Sequence, residues 1–196
     1  VPYGYLFEIT TGMEWGQFQN RPYIGAKAAF GKILHKGAMI SGDAEFGTFI
    51  HGNAAEQSVL RLQLRGFTRL YGKGRFQNRN FCNLTYINGI NRYADEFTTL
   101  ENRGGIAGLS SPSLRGNEKL VMNLESVLFS PYRLLGFRFA FFGSVDLGMI
   151  WMPDPGKVQA GPYSRIGIGV RIRNEQLVFD TFELRFSLYP GIPADA

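Results

Sequence analysis

Apolar and polar residues alternate with period two along most of this chain. Over residues 3–15 the odd positions are Tyr3, Tyr5, Phe7, Ile9, Thr11, Met13 and Trp15, and the even ones include Glu8, Thr10 and Glu14. Successive side chains of a strand point to opposite faces, so the pattern predicts a β-strand with one apolar and one polar side. The alternation returns over residues 23–34, 39–50, 56–71, 78–92, 119–130 and 136–152. A terminal hairpin follows. Ile166, Ile168, Val170 and Ile172 interleave with Arg165, Gly167, Gly169, Arg171 and Arg173. Asn174-Glu175 turns the chain, and Phe182, Leu184, Phe186 and Leu188 then interleave with Glu183, Arg185 and Ser187. The reading is all-β: an antiparallel meander of about nine strands.

The polar phase carries full charges. Asp43 and Glu45 lie on one strand, Arg61, Arg65 and Arg69 on the next, a spacing that lets them complement each other across the sheet. An oily soluble core would not tolerate them. Charge on every second residue beside Ile, Leu and Phe is the pattern of a transmembrane β-barrel with lipid outside and water inside. In that reading Arg138, Arg165, Arg171, Glu183 and Arg185 face the lumen as a hydrated wall, and Phe137–Trp151 carries a lipid-facing stripe. A soluble β-sandwich is the structural alternative; it would bury the apolar face and wet the polar one.

The connections are unequal. Shorter turns at 35–38, 131–135 and 174–175 alternate with generally longer loops at 16–22, 93–118 and 153–162, although 71–77 is a longish turn and 51–55 a short loop. Bacterial outer-membrane barrels have short periplasmic turns and long outer loops. The longest piece, 93–118, contains Arg103-Gly104-Gly105 and Ser110-Ser111-Pro112-Ser113, and loops of that length without repeats are usually functional or disordered.

Composition narrows the rest. A chain of 196 residues reads as one domain, 1–196, and its 17 Phe, 9 Tyr and 25 Gly suit pleated surfaces and turns. The net charge of +5 is scattered instead of clustered, which argues against nucleic acid. A lone cysteine, Cys82, excludes an internal disulfide and a multi-thiolate metal site. No apolar run approaches the roughly 18 to 20 residues of a membrane helix, but a membrane strand needs only about 9 to 11. His35 and His51 lack partners at catalytic or ligand spacing, no Gly-x-Ser-x-Gly or His-Glu-x-x-His occurs, and no helix follows Gly72-Lys73-Gly74 to make a phosphate site. No catalytic residue, metal ligand or cofactor is therefore expected. Val1 is no natural start, and the chain is expected to be processed or a fragment.

Near the end of the long segment stands Leu114-Arg115-Gly116-Asn117, preceded by Ser113; one strand later comes Ser144-Val145-Asp146-Leu147-Gly148. In this order and spacing the chain resembles the C-terminal half of the BamA and TamA type of outer-membrane barrel, the bacterial surface antigen family. The likeness is strongest from about residue 103 onward. Two positions depart from the family pattern: Asn117 stands in place of an aromatic and Ser144 in place of Phe or Gly. The closer string Leu64-Arg65-Gly66-Phe67 lies inside an alternating strand and reads as coincidence.

The resemblance implies a barrel of sixteen strands, of which these nine would be the seventh to the fifteenth. It implies that loop 93–118 folds into the lumen and that Arg115 pairs with Asp146. It also implies a non-enzymatic, integral protein of the Gram-negative outer membrane that inserts outer-membrane proteins or secretes proteins across that membrane. Its partners would be membrane lipid, client proteins, and periplasmic or lipoprotein accessory subunits. A passive pore, or the membrane-anchoring barrel of a fused enzyme, is the alternative.

Overall fold

In a computed structural model the described residues are 3–16, 19–93, 95–102, 104–111, 114–134, 136–151, 162–174 and 181–191. Arg103, Ser113, Glu175 and most of the 153–162 connection lie outside them. The strands are β1 (Gly4–Trp15), β2 (Asn20–Ile33), β3 (Met39–His51), β4 (Ala54–Phe67), β5 (Gln77–Ile90), β6 (Thr98–Thr99), β7 (Arg115–Gly116), β8 (Glu118–Leu134), β9 (Phe137–Trp151), β10 (Tyr163–Asn174) and β11 (Phe182–Gly191). Nine of them form one antiparallel sheet in the order β1-β2-β3-β4-β5-β8-β9-β10-β11, while β6 and β7 pair separately within the long loop. The expected nine-strand meander is present. The sheet is open, with β1 and β11 at its edges.

Cross-strand register explains how the alternation sorts the two faces. Ser41, Arg65, Asn83, Asn123, Asp146 and Arg165 lie directly opposite one another on six successive strands. One residue along, Ile40, Gly66, Cys82, Leu124, Val145 and Ile166 form the matching row. Because side chains alternate, the first row belongs to a polar face and the second to an apolar face. Glu8, Lys27, Glu45 and Arg61 make a second row on the polar side, with charge alternating in sign from strand to strand.

Two irregularities bend the ladder. Between β3 and β4 the register shifts between Gly47 and Phe49, and Gln57, with φ of 50°, takes the left-handed conformation typical of a bulge. Its amide then donates to Asn91 O at 2.9 Å, tying β4 to the start of the long loop. The predicted turn at Pro131 is not a turn. β8 continues to Leu134, and the shift between Phe129 and Arg133 absorbs the proline as a bulge beyond the last β5 pair, where its missing N–H goes unused.

The burial is the reverse of a soluble sandwich. The apolar face stays uncovered by the described residues: Phe7 is 80% exposed, Ile168 65% and Phe186 65%. Buried apolar side chains collect on the polar side instead, where Leu100, Ile106, Leu109 and Leu114 of the loop pack on Val121 and Ile150 of β8 and β9, flanked by Tyr163 and Tyr189. The loop thus builds its own small core against the face that carries Asp146.

Candidate functional site

Asp146 is the centre of this face. It lies on β9 directly opposite Arg165 of β10, and both groups are nearly inaccessible to solvent. Arg165 donates from Nε to Asp146 Oδ2 at 2.8 Å, and its Nη2 lies 2.7 Å from the same oxygen in an ion pair. Its remaining donors reach sideways, Nη1 to Ser187 Oγ of β11 at 3.1 Å and Nη2 to Ser144 Oγ at 3.3 Å. A guanidinium has five N–H donors in a fixed fork, so one arginine can tie three strands together. Gly167 leaves the room: a Cβ there would come within 2.9 Å of both Arg165 Nη1 and Ser144 Oγ.

The loop reaches the same carboxylate through its backbone. Ala107 N donates to Asp146 Oδ2 at 3.3 Å, and Ala107 O accepts from the Tyr189 hydroxyl at 2.9 Å. Lys119 is buried and donates to two loop carbonyls, Thr99 O at 2.8 Å and Gly104 O at 3.1 Å. Asn123 donates to Gly105 O at 3.4 Å, at the end of a line of amides in which Gln63 donates to Asn83 at 2.9 Å and Asn83 to Asn123 at 3.0 Å. Buried polar groups left without partners would be costly, and here sheet and loop satisfy one another.

The expected Arg115 to Asp146 pair is not formed. Asp146 is taken by Arg165, and the Arg115 guanidinium lies over the Phe97 ring at 4.3 Å on the exposed side of the loop. Alternation across β7 is the cause. Leu114 and Gly116 turn to the buried side and Arg115 turns away from it. Arg165, a ladder neighbour of Asp146, needs no loop ordering to reach the carboxylate. The other motif residues hold the loop by shape. Leu114 is fully buried, a Cβ on Gly116 would overlap Trp151 O, and Asn117 N donates to that same carbonyl at 3.0 Å. Gly148 faces Leu100 and Ile106, whose side-chain atoms would stand 3.1 and 3.2 Å from an added Cβ.

Arg138, Arg165, Arg171, Glu183 and Arg185 all share the Asp146 face by register. Arg171 bonds both oxygens of Glu125 at 2.7 Å and Glu183 at 2.7 Å, and Arg185 pairs with Glu183 at 2.7 Å. Both arginines stack on buried Phe142. Between sheet and loop remains a cleft of about 790 Å³, bordered by Gln63, Arg65, Asn83, Asn123, Asp146 and Arg165 among others.

A second anchor, absent from the sequence reading, holds the start of the loop. Arg21 of β2 is 5% exposed; it donates to Glu14 of β1 at 2.5 Å, to Glu56 of β4 at 3.2 Å and to the Tyr93 hydroxyl at 3.2 Å, and lies 4.3 Å over Phe49. The sequence signal was faint. An arginine next to Pro22 reads as part of a turn, whereas its acceptors lie 7, 35 and 72 positions away. Lys119 and Tyr189 give an equally faint signal, because their acceptors are backbone carbonyls of the loop.

The arrangement holds the described part of a long loop against one face of the sheet. No family model, curated protein or solved structure matches the chain.

Proposed function

We propose that the sheet is part of the wall of an integral β-barrel in the outer membrane of a Gram-negative bacterium, and that the barrel inserts outer-membrane proteins or moves proteins across that membrane. The membrane part of this reading rests on the uncovered apolar face, which runs from Phe7 on β1 to Phe186 on β11. Burying one such side chain is worth about 1.5 to 3 kcal/mol, so a face of this extent needs an apolar surround. The nine sheet strands have 10 to 17 residues, enough for the roughly 9 to 11 that a tilted membrane strand uses.

The assembly part rests on the loop. The described residues of the 93–118 loop sit on the polar face through Asp146, Lys119 and Asn123, occupying the side that would line a channel. A passive pore would leave that side open to solutes. Depleting the full-length protein in its host tests the reading: the folded, heat-modifiable fraction of other outer-membrane proteins, or the secreted level of a client, is expected to fall. Unchanged client proteins with a reduced uptake of small solutes would replace this reading with the passive pore.

A further inference from the structure

Edge strand β11 has a bulge where it meets the loop. Between the pairs Ile166–Leu188 and Ser164–Gly191 the register shifts, so that Tyr189 and Pro190 together oppose Arg165. Pro190 brings no N–H, and the regular ladder is interrupted there. Contacts with the loop take its place. Tyr189 donates to Ala107 O at 2.9 Å, Ala107 N donates to Asp146, Asp146 holds Arg165, and Arg165 Nη1 returns to Ser187 of β11 at 3.1 Å. The path is a closed ring. Gly108, with φ of 79°, lies so near that an added Cβ would overlap the Tyr189 hydroxyl.

We propose that this ring makes the loop and the far end of β11 one conformational unit, so that withdrawing the loop loosens the edge strand and loosening the edge strand releases the loop. Arg165 is the positioning residue, because it is bonded to Asp146 on the loop side and to Ser187 on the edge side. Coupling of this kind is reciprocal: whatever the loop contributes to holding β11, β11 contributes to holding the loop. The unit is defined inside the chain and does not depend on the membrane reading.

Hydrogen exchange followed by mass spectrometry on the full chain, in whichever detergent or buffer keeps it monodisperse, tests the coupling. Tyr189→Phe removes one hydroxyl and keeps the ring, and Ser187→Ala removes the edge-side acceptor without touching the loop. Each is expected to speed exchange about fivefold in both 99–109 and 182–191, the scale of one lost hydrogen bond. Gly108→Ala, made on the loop, is expected to do the same in 182–191. Tyr132→Phe, near the end of strand β8, is expected to leave both segments at the parent rate. If Tyr189→Phe loosens the loop while β11 keeps its rate, or Ser187→Ala loosens β11 alone, the two move independently and the proposal falls. A failure here leaves the outer-membrane reading standing, since client folding and internal exchange are separate measurements.

Discussion

Arg165 and Asp146 meet across the β9–β10 ladder, two guanidinium nitrogens on one carboxylate oxygen at 2.8 and 2.7 Å, with both side chains at most 5% exposed. A pair this deeply buried gives little net stability over an apolar substitute, but breaking it by removing one partner strands the other charge. The geometry therefore makes sharp predictions about single and double substitutions.

Asp146→Ala and Arg165→Ala are each expected to lower stability by about 3 to 5 kcal/mol. The double variant should be less stable than the parent by much less than the sum. Arg115→Ala should cost no more than about 1 kcal/mol, the scale of its stack on Phe97. Urea midpoints in detergent read all three. Strong non-additivity between positions 115 and 146, in place of 165 and 146, would reinstate the pairing expected from the sequence.

Gly148 lies under the loop core. Gly148→Leu would drive a side chain into Leu100 and Ile106, and the expected outcome is a displaced loop on an otherwise folded sheet. Limited proteolysis should then cut within 93–118 much faster than in the parent. An equally resistant loop would mean that its seat lies elsewhere.

Arg21 has three oxygen acceptors on separate segments and an aromatic ring beneath it. Removing it leaves Glu14 and Glu56 without their cation, so Arg21→Ala is expected to cost about 3 kcal/mol. Arg21→Lys should recover little of that, because an ammonium has no planar fork to span three acceptors while stacking on Phe49. Full rescue by lysine, measured as the thermal midpoint, would reduce the anchor to a simple charge.

The facing of the terminal hairpin is open to labelling. With Cys82 replaced by Ser, single cysteines at Ile168, Leu184 and Phe186 should react with a lipid-soluble probe, and cysteines at Glu183, Arg185 and Ser187 with a water-soluble one. The reverse pattern would shift the register by one residue and exchange the two faces.

Period-two alternation was enough to predict the strands and to divide their side chains between two faces, because side-chain direction along a strand is a local property of the backbone. The shared side of Asp43 and Arg65, and of Arg171 and Glu183, followed from that alone, whereas the 3.5 Å contact of Asp43 with Arg65 was set by the register of β3 on β4. The long loop was legible as exceptional, and so was the aspartate that receives it. Which group meets that aspartate was not. Register places Arg165 opposite Asp146, and alternation in the two-residue strand β7 turns Arg115 outward; neither is encoded in the spacing of the motifs. Arg21 was hidden more deeply, since its acceptors come from β1, β4 and the loop and converge only when the sheet and loop have folded. A charged residue in a sequence announces that it needs a partner; the partner is chosen by which strands and loops the fold brings within about 3 Å.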